Sequence, residues 1–262
     1  LNLPVIGRLL RKGGGFFIRR SFYGSGLYPV VFMKYVDVMM NRGHALEFFI
    51  EGGRSRTGRL LQPRTGMLSM TVRSFLRDAR RPVAYVPAYF GYERLLEGES
   101  YINELSGRPK QKETVRGLLR VLPRLRQQLG RVFISFGEPL LLDGVLDGLK
   151  PDWRDDVKDE NARPAWFGDA VDTVAVEIMR RINGAAAVTP INLLSVALLA
   201  APRQAMIESD LEKQLQLYID LLRAFPYSPD VSIAAENGAS IIRRVEQMGM
   251  LERRAHPLGD VL

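Results

Sequence analysis

The 262-residue chain contains no cysteine and only two histidines, His44 and His256. Without cysteine there is no disulfide, no thiolate metal site and no cysteine nucleophile. With only two histidines, far apart in the sequence, a multi-histidine metal cage is not expected. No metal or cofactor is predicted. The sequence starts at Leu1, and no basic stretch precedes an apolar run as in a secretory signal peptide. The chain is therefore interpreted as a fragment that lacks at least the N-terminal part of a longer protein.

Acidic residues are scarce in the first half of the chain. Up to Arg131 there are 24 lysines and arginines against 9 acidic residues, a net charge of +15, whereas the remainder carries −7. A strongly basic half predicts an anionic partner: a phosphorylated substrate, an anionic membrane surface or a nucleic acid. Charge alone does not choose among these three.

Short apolar runs alternate with helical patterns in the first half, which predicts an α/β fold with a mixed sheet flanked by helices. Three runs predict strands: LEFFI at 46–50, PVAYVPAYF at 82–90 and RVFISFGEPL at 131–140. Amphipathic spacing predicts helices at 27–41, 66–79 and 112–129. We expect this α/β domain to span 1–141.

The rest of the chain shows little strand signal. An acidic stretch broken by turn residues, 142–163, predicts a connecting loop, and 164–262 predicts an all-helical C-terminal region. Helices are expected at 169–182, after Thr189 as N-cap, after Ser209 as N-cap, and at 238–248. The uncharged stretch 182–202 is about long enough to span a bilayer. Polar and turn-forming residues interrupt it, so a buried helix is the prediction.

The most informative motif is FIEGGRSRTG at 49–58, which directly follows the first predicted strand. Glycines allow backbone N–H groups to approach an anion closely, and arginines form charge-assisted bonds to phosphate oxygens. A loop beyond the carboxyl end of a strand is also where α/β folds bind ligands. A solvated basic turn is the alternative, but it leaves the carboxylate of Glu51 beside the apolar strand without a partner. The candidate residues are Glu51, Gly52, Gly53, Arg54, Ser55 and Arg56.

Two further segments are weaker signals. GGGFFIRR at 13–20 runs from three glycines through a strand-like apolar triplet into Arg19 and Arg20, a pattern that is also common on ordinary surfaces. VPAYFGYER at 86–94 places Pro87 in an apolar strand, which predicts an edge or a bulge. Its aromatic residues could line an apolar slot or belong to an ordinary core.

Taken together, GGGFFIRRSF, FIEGGRSRTG with LQPRTGMLSM, and VPAYFGYER resemble, in order and spacing, three acyltransferase blocks of the membrane-bound bacterial glycerol-3-phosphate 1-O-acyltransferases of the PlsB type. The likeness continues through FGEPL, PDWR, RPAW and RINGAA, and so covers essentially the whole chain.

The resemblance implies transfer of a fatty acyl group from acyl-CoA or acyl-carrier protein to the sn-1 hydroxyl of glycerol 3-phosphate, the first step of phospholipid synthesis. It implies that Arg19, with Arg20 beside it, and Arg54 and Arg56 hold the phosphate, while Glu51, Gly52, Gly53 and Ser55 shape the loop. Pro87 is implied to lie in the block associated with the acyl donor. A peripheral protein on the cytoplasmic face of the bacterial inner membrane is the implied location.

One block of the family is absent from this sequence: a histidine followed five positions later by an aspartate, in which the histidine acts as general base. His44 has Phe49 at that distance and His256 has Val261. His44 is therefore predicted to be structural and His256 to lie at the surface, and no catalytic residue is assigned. The fragment alone is expected to show negligible acyl transfer.

Three other readings stay open. Acylation of dihydroxyacetone phosphate is the alternative within the same class. A non-catalytic protein of the membrane surface would use the basic region 108–131. A nucleic-acid-binding module is disfavoured, because the arginines lie in glycine-rich loops rather than along one helix face.

Overall fold

The computed structural model describes residues 4–19, 24, 26–53, 55, 58–94, 130–156, 164–233, 236–257 and 259–262. The chain divides into two compact units. The first comprises Leu1–Phe48 with Gly66–Arg81, and the second comprises Phe49–Thr65 with Pro82–Leu262.

The first unit is helical. It contains α1 (Pro4–Lys12), α2 (Leu27–Asn41) and α3 (Gly66–Arg77). Helices α2 and α3 pack against each other, and each contributes apolar side chains that are buried. An ion pair of 2.9 Å between Arg77 and Asp37 joins the same two helices. The predicted helix 27–41 is confirmed, and the helix predicted at 66–79 ends two residues earlier.

The second unit contains all the described strands and the remaining helices. They are β1 (Ala84–Tyr85), β2 (Ala88–Tyr92), β3 (Val132–Phe136), β4 (Leu140–Leu141), α4 (Leu142–Leu149), α5 (Trp153–Asp156), α6 (Phe167–Gly184), β5 (Ala187–Val188), α7 (Pro190–Ala200), α8 (Glu208–Ala224), β6 (Ser232–Ile233) and α9 (Gly238–Gln247). A short 3-10 turn, Pro202–Gln204, follows α7. The predicted α/β class with a helical C-terminal part is confirmed.

The strands pair two by two. β1 pairs with β4 and β2 with β3, both antiparallel, and β5 pairs with β6 in parallel. The first two pairs form one bent ribbon, because only two residues separate β1 from β2 and only three separate β3 from β4. The extra residue on the second strand is a β-bulge at 137–139.

The core of the C-terminal part lies among α7, α8 and α9. On α8, Leu211, Leu215 and Ile219 recur every four residues and are fully buried, as an amphipathic helix requires. Ile241, Ile242 and Val245 of α9 are buried in the same cluster as Leu193 and Leu194 of α7. Among the described residues, no helix is both long and apolar enough to cross a bilayer. The uncharged stretch at 182–202 thus contains the packed helix α7, as predicted.

Three local predictions were wrong. LEFFI at 46–50 is not a strand: residues 46–49 are irregular and Ile50 lies in a turn, since no neighbouring strand among the described residues pairs with them. The apolar triplet 16–18 is irregular for the same reason. The acidic stretch forms α4 and α5 in its first part rather than a loop, because Leu142, Leu146 and Trp153 are buried. The predicted helix 112–129 lies outside the described residues.

Candidate phosphate-binding site

The loop at 49–64 begins with a tight turn after a buried side chain. Ile50, at the start of the loop, is 6% exposed. The N–H of Gly52 donates to the carbonyl of Phe49 at 3.1 Å, and Gly52 has a φ of +60°. Glycine adopts this left-handed conformation at no steric cost, whereas other residues do not.

The far end of the loop returns to its beginning. The N–H of Arg64 donates to the carbonyl of Ile50 at 2.7 Å, and the N–H of Leu61 donates to Oε2 of Glu51 at 2.8 Å. The expectation that Glu51 requires a partner is thus met by a backbone amide. Two hydrogen bonds therefore close the loop on itself, and Glu51 shapes it.

Gly52 and Gly53 differ in whether there is space for a side chain. A Cβ on Gly52 would lie 2.8 Å from Cγ of Arg64, closer than real contacts allow, whereas a Cβ on Gly53 would lie at an ordinary 3.7 Å from Leu61. Gly52 is therefore needed both for its φ and for the close approach of Arg64.

The polar side chains of the loop are described only in part. Ser55 is half-buried, and among the described residues its buried Oγ has no hydrogen-bond partner. Arg54 and Arg56, like Arg20, lie outside the described residues.

Arg19 lies in the first unit, after the glycines that end α1. Its N–H donates to the hydroxyl of Tyr28 at 3.1 Å, and its guanidinium lies 4.8 Å from the centre of the Tyr28 ring. A cation over an aromatic face is held by the ring quadrupole. Tyr28, at the start of α2, thus orients Arg19, an interaction that the sequence alone did not reveal. His44 is exposed, and its N–H donates to the carbonyl of Met39 in the turn after α2.

Pro87 lies at the bend of the ribbon and is buried. It separates β1 from β2, which confirms the expected bulge or edge. Its carbonyl accepts a hydrogen bond of 2.9 Å from the N–H of Gly137, the first residue of the bulge on the other strand. Proline cannot donate to the ladder, and the bulge accommodates that missing donor.

A buried ion pair follows the ribbon, and sequence reasoning missed it. The side chain of Glu93 is fully buried, Arg244 of α9 donates to it at 2.9 Å, and the N–H of Arg131 donates to it at 2.7 Å. Burial by itself raises the pKa of Glu93, but the hydrogen bonds from Arg244 and Arg131 outweigh burial and lower that pKa below its ordinary value. Glu93 and Arg244 are 151 residues apart, so no local signal could have linked them.

The bulge is also contacted by α6. Nη1 of Arg181 donates to the carbonyls of Glu138 and Pro139 at 2.9 and 2.8 Å, and its Nε donates to Glu177 at 2.7 Å. Hydrogen bonds from Arg180 and Arg181 lower the pKa of Glu177 to about 2, so this carboxylate stays ionised near neutral pH. The motifs FGEPL and RINGAA therefore meet in the structure.

Comparison with known proteins decides the family. A family model described as glycerol-3-phosphate acyltransferase C-terminal region matches residues 101–262. The chain belongs to this family. A second model, described as acyltransferase, matches residues 1–90.

Proteins named glycerol-3-phosphate acyltransferase resemble this member of the family along its whole length. Identity is 51% over 263 residues with the protein of Xanthomonas campestris pv. campestris, 52% over 263 with that of Xylella fastidiosa, and 48% over 262 with that of Pseudomonas aeruginosa. All of this chain is covered in each comparison, but it spans only about 30% of the length of these relatives.

Proposed function

We propose that this chain supplies the acceptor-binding part of an enzyme that transfers a fatty acyl group to the sn-1 hydroxyl of glycerol 3-phosphate. Acyl-CoA or acyl-carrier protein is the proposed donor, and the reaction is the first step of phospholipid synthesis. The observation that carries the proposal is the loop at 49–64 in a member of this family, closed by hydrogen bonds from Leu61 to Glu51 and from Arg64 to Ile50.

The closed loop suits a phosphate ester for electrostatic reasons. Oε2 of Glu51 accepts a hydrogen bond from the N–H of Leu61, so this carboxylate serves to close the loop. Arg54 and Arg56 lie in the same loop in sequence, and guanidinium groups form strong bonds to phosphate oxygens. We assign phosphate binding to these two residues with Arg19 and Arg20, and loop shape to Gly52, Gly53 and Ser55.

The chemistry requires a group that this sequence does not contain at the family spacing. The sn-1 hydroxyl oxygen attacks the thioester carbonyl, an ester forms and a thiol leaves, while the hydroxyl proton passes to a base. No histidine here is followed five positions later by an aspartate. Loss of a general base typically slows a reaction by about 10² to 10⁴-fold. The chain is therefore proposed to bind the acceptor without turning it over at an appreciable rate.

Calorimetric titration with glycerol 3-phosphate tests the binding proposal. Arg56→Ala should weaken binding about tenfold or more, since a hydrogen bond to a charged group contributes about 1.5–3 kcal/mol. Arg59→Ala is the matched control, because Arg59 lies just beyond the loop glycine Gly58 and is exposed. No binding by the wild-type chain, or equal losses in both variants, would refute the proposal.

Two further assays define the substrates. Turnover of palmitoyl-CoA and glycerol 3-phosphate by the chain alone, at rates typical of a complete enzyme, would contradict the proposal that this chain lacks the general base of the reaction. Competition between glycerol 3-phosphate and dihydroxyacetone phosphate distinguishes the two acceptors.

We also propose that the protein acts peripherally at an anionic membrane surface, on the cytoplasmic face of the inner membrane. The net charge of +15 up to Arg131 supports attraction to anionic lipid. Sedimentation with vesicles should show binding that requires anionic lipid and weakens with salt. Equal binding to neutral vesicles would contradict the electrostatic basis.

A further inference from the structure

The bulge at 137–139 lies opposite Pro87 in the ribbon and is hydrogen-bonded to it. The hydrogen bond from Gly137 to the Pro87 carbonyl joins the two strands at their bend. Because the bulge interrupts the ladder of hydrogen bonds at Pro87, the strand register on either side does not by itself fix the position of this residue. The groups that hold the bulge therefore also hold Pro87.

Arg181 of α6 is the side chain that holds the bulge. Its Nη1 donates to two consecutive carbonyls, those of Glu138 and Pro139, and its side chain is only 16% exposed. The backbone of the same residue also abuts the bulge: a Cβ on Gly137 would lie 2.9 Å from the carbonyl oxygen of Arg181. Both the side chain and the backbone of Arg181 thus contact the bulge.

The stability of helix α6 does not by itself require the hydrogen bonds from Arg181 to the bulge. The neighbouring Arg180 forms the same kind of ion pair with Glu177, at 2.7 Å, yet its side chain is 69% exposed and its hydrogen bonds go to Glu177. Glu177 therefore has a cation partner without Arg181. The additional contacts of Arg181 all go to the bulge.

We propose that Arg181 is a positioning residue for the acyl donor, acting through the bulge on Pro87. The inference rests on the proposed function, in which the loop at 49–64 serves the acceptor, and on the resemblance, which implies that Pro87 lies in the block associated with the acyl donor. It assigns to α6 an indirect role in setting donor affinity. Loss of Arg181 should thus affect the donor and spare the acceptor.

The test measures dissociation constants of two ligands, palmitoyl-CoA below its micelle concentration and glycerol 3-phosphate, for wild type and variants. Arg181→Ala should weaken palmitoyl-CoA binding about tenfold, equivalent to about 1.4 kcal/mol, and leave glycerol 3-phosphate binding within about twofold. Arg180→Ala, the matched control, should change neither constant. Arg181→Lys keeps the charge but lacks the planar fork, so it should restore part of the affinity.

Gly137→Ala provides an independent route to the same bulge, because its Cβ would press on the Arg181 carbonyl. Combined with Arg181→Ala, it should cost less than the sum of the two single effects on palmitoyl-CoA binding, since both act on one element. If Arg181→Ala does not fold, Gly137→Ala and Arg181→Lys decide whether the bulge sets the affinity for palmitoyl-CoA.

The outcomes separate this inference from the proposed function. If the wild-type chain binds neither ligand, the proposed function fails and the inference fails with it. If the wild-type chain binds both ligands, but Arg181→Ala weakens neither or weakens both equally, only the inference is overturned.

Discussion

A single buried carboxylate, Glu93, shows how one residue connects distant parts of this sequence. It lies just after β2, and its partners are the N–H of Arg131, just before β3, and the guanidinium of Arg244 on α9. Removal of one member of a buried pair leaves the other without compensation, which costs more than the pair itself contributes. The ribbon and α9 are therefore joined by an ion pair whose disruption is expected to be costly.

Glu93→Gln should lower the free energy of unfolding by about 3 kcal/mol, as is typical when one partner of a buried ion pair is lost. The control is Glu252→Gln, which removes an exposed carboxylate 3.2 Å from Arg254 and should cost less than about 0.5 kcal/mol. Urea unfolding followed by circular dichroism measures both. Equal effects of the two substitutions would show that the Glu93 pair contributes no more than a surface pair.

The same variant should change the dependence of stability on pH. The pKa of Glu93 is lowered from its ordinary value of 4.5, so its contribution is present above that value and is lost as pH falls through the lowered pKa. Wild-type stability should therefore decline more steeply below about pH 4.5 than that of Glu93→Gln. Melting curves at a series of acidic pH values provide the comparison.

At the residue level, the sequence predicted features that depend on local backbone chemistry. Gly52 and Pro87 were identified because glycine and proline have fixed conformational consequences wherever they occur. Glu51 was correctly expected to require a partner. The contact of Arg181 with the bulge was not predicted, because it joins positions more than 40 residues apart.

Helices and strands could be predicted from the sequence where the signal for them was local. The two predicted N-caps, Thr189 and Ser209, illustrate this. Thr189 caps α7 as predicted: its hydroxyl accepts from the N–H of Asn192, whose Oδ1 accepts from the N–H of Thr189. Ser209 does not cap α8, which begins one residue earlier at Glu208. The N–H of Glu208 instead donates to the carbonyl of Asp260, a partner too distant for the sequence to reveal.

Thr189→Ala should therefore lower the free energy of unfolding by about 1 kcal/mol, whereas Ser209→Ala should change it by less than about 0.5 kcal/mol. Thr189→Ser retains the hydroxyl and should lie close to wild type. Thermal unfolding monitored at 222 nm, a standard wavelength for helix, ranks the three variants. A larger loss for Ser209→Ala than for Thr189→Ala would contradict the observed caps.

Strands were less predictable than helices for a physical reason. A helix satisfies its hydrogen bonds within one segment, whereas a strand depends on a neighbour that the local sequence does not specify. The segments PVAYVPAYF and RVFISFGEPL pair with each other and form the ribbon. LEFFI has similar composition but no partner strand among the described residues, and it is irregular.

At the scale of the whole second unit, the ribbon presents one face that the described residues leave uncovered. Alternate residues of β2 and β3 point to this face and are 40–66% exposed. They are Phe90, Tyr92, Val132, Ile134 and Phe136. Contiguous exposed apolar patches promote association.

The chain should accordingly self-associate at about 100 μM, and Ile134→Lys should shift it towards monomer without lowering its melting temperature. Val176→Lys is the control, because Val176 is an exposed valine on α6, outside the ribbon. Sedimentation velocity measures the distribution. A monomeric wild-type chain at this concentration would contradict the prediction.

The final residues of the chain close the C-terminal part on itself. Met206 and Leu262 exchange both backbone hydrogen bonds, and Arg253 pairs with Glu208, Glu246 and Asp260. During synthesis on the ribosome, the start of α8 emerges well before these partners exist. The beginning of α8 therefore reaches its native arrangement only after residue 262 has been added.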